Sequence, residues 1–421
     1  MSKFTHPMYH IFLTYISIFA LLFSACNSPQ TGSETPVLEE GIWRAELNVQ
    51  GQMLPFTFEL SQTDSSNYSV QLINGEERLL IDEVELEGDS LTIPMNFFDT
   101  QISAVVKKGK LEGHFIKNYA EDYRLPFSAQ QGENYRFAKE DTENYQDFGG
   151  KWEVQFADDS IISVGIFKQN GSRVQGSFLT ATGDYRFLEG NVEGSTMKLS
   201  AFDGEHAFLF EARMQEDNSL KGDFWSGKSY HTEWTAKPNA EAELPDANKL
   251  TYLKEGYDQL SFSFPDLEGK SVSLSDEKYQ NKVVIVQLFG TWCPNCMDET
   301  KFLADWYRQH QEEPVVIIGL AYEQKDDFDY ASSRVKKMIE KLDVGYDFLI
   351  AGTSDKEEAA KTLPMLNRVM SFPTTIFIDK KGEVRNIHTG FSGPGTGVYY
   401  ERFVEDFNIL MDKLLKEETD A

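Results

Sequence analysis

The chain has 421 residues, 40% of them hydrophobic, enough for two or three domains with cores of their own. It carries 68 acidic against 40 basic residues, and the net charge of −28 argues against nucleic acid as a partner and fits a solvated surface. Only three cysteines are present, and because domains of this size need no disulfide staples, their scarcity assigns no compartment.

Residues 1–25 read as an export signal. Lys3 is the only Lys or Arg ahead of Cys26, residues 11–22 are an apolar run, and Ser24 and Ala25 place small side chains before the cysteine. The apolar run is short for a membrane span. The pattern resembles a bacterial lipoprotein signal, which implies lipidation of Cys26 and attachment to a bacterial membrane, on the periplasmic side or at the cell surface. Phe23 departs from that pattern, which favours leucine, and a signal cut elsewhere or an uncleaved anchor are the alternatives. In every case the remainder is exported. Residues 26–40 are polar, with Pro, Gly, Ser and Thr, and read as a flexible tether.

Two β-rich modules are expected next, residues 41–133 and 147–238. Short alternating runs such as Phe56-Thr57-Phe58-Glu59-Leu60 are separated by turn signals such as Asn74-Gly75 and Gly88-Asp89. Shifting the first module by 109 positions lays Gly41 on Gly150, Trp43 on Trp152, Phe58 on Phe167, Leu111 on Leu220, Gly113 on Gly222 and Phe115 on Phe224. Matches at one offset point to a tandem duplication, each copy a small antiparallel barrel or curved sandwich. The Gly-x-Trp opening resembles that of lipocalin-like barrels, and the whole pattern resembles accessory modules ahead of hydrolases in exported bacterial proteins. Neither copy shows a catalytic constellation. His114, His206 and His231 read as surface or satisfied core residues, and Trp43 and Trp152 as barrel packing.

Residues 239–250 form a linker, and residues 251–421 carry the chemistry. A hairpin is expected over 262–274. A buried strand at 283–288 then runs into Phe289-Gly290-Thr291-Trp292-Cys293-Pro294-Asn295-Cys296, and an amphipathic helix follows. Two cysteines three apart at a strand-to-helix junction can close and reopen a small disulfide ring. The helix N-terminus favours a thiolate at Cys293, expected to be exposed there, and Cys296, one turn in, can resolve a mixed disulfide. Zinc needs four ligands, and neither the remaining cysteine nor the seven histidines supply them in ligand spacing, so no metal is expected. Beyond the helix come a strand at 314–322, a helix marked by Val335, Met338, Ile339 and Leu342, and a strand at 346–350. A capping box at Ser354-Asp355-Lys356-Glu357 follows, then strands at 374–379 and 383–388. The closing helix has Phe403, Phe407, Leu410 and Leu414 on its core face.

Trp292-Cys293-x-x-Cys296 after a buried strand, with Ser371-Phe372-Pro373-Thr374 before a later one, resembles the thioredoxin superfamily. The resemblance is strongest to its extracytoplasmic, membrane-tethered oxidoreductases of the TlpA/ResA type. The expected architecture is therefore multi-domain: two tandem antiparallel β-barrel or sandwich modules followed by an α/β thioredoxin-like domain. The resemblance implies a cis-proline at Pro373, where a trans turn proline is the alternative. With Trp292, Pro294 and Phe372 it would frame an extended substrate peptide. It also implies protein thiol/disulfide clients (apocytochrome c among them), a membrane electron donor and no organic cofactor. Glu299 follows Cys296 by three on the apolar arc, so its carboxyl should be raised in pKa and able to exchange a proton with Cys296. The alternative is an exposed helix glutamate beside Asp298. Gln287 stands where thioredoxin has a buried acid. The uncharged Asn295 points towards a reductase. Two other readings stay open: a peroxiredoxin-like peroxidase, which wants Thr where Gly290 stands, and a surface or periplasmic binding lipoprotein that works through its β modules.

Overall fold

A computed structural model describes residues 38–63, 67–95, 98–140 and 142–418. The export signal, Cys26 and nearly all of the tether lie outside the described residues. Alternation of side chains governs the N-terminal half. On strand Gly41–Val49, Trp43, Ala45, Leu47 and Val49 are buried and the residues between them are not. Eight antiparallel strands, from Gly41–Val49 to Arg124–Gln131, close into a barrel in which Trp43 of the first lies opposite Gln131 of the last. Eight more strands, from Gly150–Phe156 to Tyr230–Pro238, close a second barrel, because Ser163–Asn170 pairs with both Gly150–Phe156 and Arg173–Thr180. Closure leaves no unpaired sheet edge, which decides between barrel and sandwich. A two-residue strand, Gly183–Asp184, hangs on Arg173–Thr180 as a hairpin.

The positions matched at the 109-residue offset do the same work in both barrels. Trp43 Nε1 donates to the Glu39 carbonyl at 3.0 Å, and Trp152 Nε1 to the Phe148 carbonyl at 2.9 Å. Gly113 faces Ala104 across its ladder and Gly222 faces Ala212. A Cβ on either glycine would come within 2.0 Å of the Ser103 carbonyl or 2.3 Å of the Glu211 carbonyl. The barrels also share core: Phe202 of the second lies 4.6 Å from Phe56 and 5.0 Å from Phe115 of the first, between ring centroids.

The C-terminal domain carries a five-stranded mixed sheet. Its strands and helices are β1 Val283–Phe289, α1 Pro294–Gln309, β2 Val315–Glu323, α2 Phe328–Leu342, β3 Asp347–Thr353, α3 Lys356–Thr362, β4 Thr374–Ile378, β5 Val384–Thr389 and α4 Val398–Lys416. The sheet order is β3-β2-β1-β4-β5, with β1, β2 and β3 parallel to one another, β4 antiparallel to β1 and β5 antiparallel to β4. All seven residues of β1 are buried, as a central strand covered on both faces requires. Two details differ from the sequence expectation. Asp355, not Ser354, caps α3, accepting from Glu357 N and Glu358 N, because the Ser354 backbone is tied to the Glu323 carbonyl as an extension of the sheet. On α4 the buried stripe is Phe403, Phe407, Met411 and Leu414, and Leu410 is only partly covered, since the i+4 step from Phe407 falls on Met411.

One cation joins all three parts. Arg186 of the second barrel is buried and pairs with Glu77 of the first barrel and Asp298 of α1, with Asp203 at 3.7 Å. Its charge is strongly held by these carboxylates against the desolvation that opposes it.

Candidate active site

Strand β1 delivers the chain to Gly290, where a Cβ would stand 2.1 Å from the Trp292 indole nitrogen. That nitrogen donates to the Tyr322 carbonyl at the end of β2, 2.9 Å away, and fixes the ring. Cys293 is the N-cap of α1, and the Cys296 backbone N–H donates to its sulfur at 3.2 Å. Free N–H groups at a helix start favour negative charge, so they favour the thiolate at Cys293 in the reduced protein. Pro294 occupies the first helical position, where a missing N–H leaves nothing unpaired. Cys293 and Cys296 are joined as a disulfide, their Cα atoms 5.2 Å apart. The Phe372–Pro373 peptide is cis, and the Phe372 carbonyl oxygen lies 3.5 Å from Cys293 Sγ. The Trp292 and Phe372 rings meet edge to face at 5.9 Å. Two distant loops thus bring Trp292, Cys293, Pro294, Phe372 and Pro373 together.

Glu299 lies on the buried side of α1, one turn past Cys296, and is 0% exposed. Its carboxylate accepts from Thr375 Oγ1 and Gln287 Nε2, both at 2.8 Å. Burial raises its pKa to about 7, and these two neutral donors only partly offset the rise. Gln287, in place of an acid on β1, therefore serves as a donor to Glu299 and also accepts from Thr300 Oγ1 at 3.1 Å. A second buried acid was not read from the sequence. Glu323, at the end of β2, accepts from Thr291 N at 2.8 Å and Thr291 Oγ1 at 2.9 Å, and burial raises its pKa to about 7 as well. The only signal for it in the sequence is an acid closing an otherwise apolar strand.

The expectation that Cys293 is exposed at the helix start needs correction: the residue is only 6% exposed. The second barrel covers it. Its hairpin sets the Thr182 carbonyl 2.6 Å from Ser371 Oγ, the donor, and the Asp184 carbonyl 3.2 Å from Asn295 Nδ2. The Asp184 carboxylate accepts from Gly393 N at 2.6 Å, and burial raises its pKa to about 6. What remains over the sulfur is a cleft of about 230 Å³, lined among others by Trp292, Phe372, Tyr185, Phe208, His206 and Lys356. His206, read from the sequence as a surface or satisfied core residue, reaches this cleft. Neither periodicity nor a motif could have joined it to a cysteine more than eighty positions away.

Comparison with known proteins settles the family. Residues 256–387 match the AhpC/TSA family. Over 138 residues the chain is 32% identical to the thiol-disulfide oxidoreductase ResA of Bacillus cereus, covering 32% of this chain and 70% of that protein. The chain belongs to the ResA-like group of the thioredoxin superfamily. It is a thiol-disulfide oxidoreductase. The thioredoxin-like protein YneN of Bacillus subtilis is 28% identical over 145 residues, 34% of this chain and 76% of that one. A solved thiol:disulfide interchange protein of the thioredoxin family from Chlorobium tepidum is 20% identical, covering 38% of this chain and 98% of its own, with a TM-score of 0.30. These ResA-like relatives match about a third of the chain, the part that holds the dithiol.

Proposed function

We propose that the protein is an exported disulfide reductase, held at a bacterial membrane through lipidated Cys26 and recharged by a membrane electron donor. Its clients are exported proteins, with apocytochrome c a candidate by family likeness. Cys293 attacks the client disulfide. One client thiol leaves, and the other stays in a mixed disulfide with Cys293. Cys296 then loses its proton, attacks Cys293 Sγ and releases the second thiol, leaving the Cys293–Cys296 disulfide. Glu299 takes the proton from Cys296, and Trp292, Pro294, Phe372 and Pro373 frame the client strand. The observation that carries this reading is Glu299 itself: a fully buried carboxyl, one helical turn from Cys296, with no cation beside it among the described residues and a pKa near neutrality. The equivalent positions in the two barrels support their origin by duplication.

The peroxidase reading is weaker. Its threonine would fall at Gly290, where any side chain meets the Trp292 ring. Equilibrating the dithiol with dithiothreitol or glutathione tests the reductase assignment. A potential near that of thioredoxin, about −270 mV, is the expected result, and one near about −120 mV would make the protein an oxidant and overturn the assignment.

A further inference from the structure

The second barrel lies against the face of the dithiol that a client must approach. Three hydrogen bonds hold its hairpin there: Ser371 Oγ to the Thr182 carbonyl, Asn295 Nδ2 to the Asp184 carbonyl, and Gly393 N to the Asp184 carboxylate. Gly390 lets the backbones touch, since a Cβ there would stand 3.0 Å from the Ala181 carbonyl. The partners of the hairpin are thus Asn295, the second of the two residues between the cysteines, Ser371, two before Pro373, and the loop after β5.

The remaining cleft has a definite chemistry. Trp292, Phe372, Tyr185 and Phe208 give it aromatic walls. Its one acid is Asp184, whose oxygens are already taken by Gly393 N and by Arg186 N, the latter at 2.6 Å. Its basic side chains are Lys356, at the start of α3, and His206. Lys356 meets no carboxylate among the described residues. Asp203 holds His206 through Nδ1 at 3.2 Å, and Phe208 stacks on its ring at 4.7 Å. On a chain of net charge −28, Lys356 is a cation that lines this opening with no carboxylate partner among the described residues.

We infer that the second barrel forms the outer wall of the client site and selects an extended polypeptide segment with an acidic residue beside its cysteine. A cleft of about 230 Å³ takes one cysteine and a neighbour from an unfolded strand, not a cysteine embedded in a folded domain. Lys356 receives the client carboxylate while the aromatic rings hold the cysteine over Cys293. This inference rests on the reductase reading. The redox step is the one given above: the client disulfide gains two electrons from the dithiol and leaves as two thiols.

The test uses the full chain, reduced beforehand with dithiothreitol and freed of it, in single-turnover reactions. Two short linear peptides, each a disulfide-linked dimer, differ only in glutamate or lysine beside the cysteine; insulin is the folded comparator. The glutamate peptide is expected to react about tenfold faster than the lysine peptide, the scale of one charge-assisted contact. Lys356→Met should bring that ratio towards one, Lys356→Arg should keep it, and insulin should react more slowly than either peptide. Equal rates for the two peptides, or insulin as fast as both, overturn the inference and leave the reductase reading standing. Failure of the reduced protein to reduce any of the three, with the oxidised protein instead oxidising the reduced peptides, overturns both.

Discussion

Replacing Glu299 by glutamine removes a proton-binding site from the core without changing its shape. The wild-type carboxyl has two neutral donors, Thr375 Oγ1 and Gln287 Nε2, and burial raises its pKa from 4.5 to about 7. The folded protein therefore keeps a proton that the unfolded chain gives up above about pH 4.5. The stability this provides is fully present below that value and is lost as pH rises through about 7. At about 1.4 kcal/mol per pH unit, ionising Glu299 in place costs about 3 kcal/mol. Glu299→Gln carries no such loss. Urea unfolding of the two oxidised proteins, followed by the fluorescence change of the thioredoxin-like domain, measures the difference directly. Between pH 5 and pH 8 the variant should gain about 3 kcal/mol relative to wild type. Glu323, raised to about the same pKa, is common to both and cancels. In stopped-flow resolution of a mixed disulfide at Cys293, the variant should also lose the rate inflection near pH 7. Parallel stability profiles across this range would refute the reasoning, because Glu299 would then be ionised in the fold at no cost.

Arg186→Met leaves Glu77 and Asp203 buried, and Asp298 partly buried, without their shared cation, and should destabilise the protein by about 3–5 kcal/mol, read as a fall in thermal midpoint. Gly390→Ala adds a Cβ 3.0 Å from both the Ala181 carbonyl oxygen and the Thr182 carbonyl carbon, at a φ of +79°, and so pushes the hairpin away. In the reduced protein, iodoacetamide should then alkylate Cys293 several-fold faster than in wild type, and an unchanged rate would mean that the hairpin does not limit access. Cys296→Ser should accumulate a stable mixed disulfide between Cys293 and client, visible by non-reducing electrophoresis, whereas Cys293→Ser should form none.

The redox domain was legible because its signals are local. A run of apolar residues at 283–288 makes a central strand wherever it is placed. Two cysteines three apart at a helix start have one dominant chemistry, and Glu299 falls on the apolar arc by helical periodicity alone. The barrels were legible through period-two alternation and the repeated Gly-x-Trp and Leu-x-Gly-x-Phe. Whether each closed or stayed a sandwich was not, because closure depends on the first strand of each barrel pairing with the last, Gly41–Val49 with Arg124–Gln131 and Gly150–Phe156 with Tyr230–Pro238, far along the chain. Ser354 misled for a similar reason: a capping pattern in sequence ignores that the Ser354 backbone is already held by Glu323.

By itself, then, the sequence determined the dithiol, the elements that carry it and the carboxyl one turn away, since each follows from spacing along a single strand or helix. Only the tertiary structure decided what lies over the sulfur. The hairpin at Thr182, the basic side chains of Lys356 and His206, the buried acid Glu323 and the shared cation Arg186 come from separate stretches of chain. They meet because three folded units bury surface against one another, and contacts between units leave no period in a sequence.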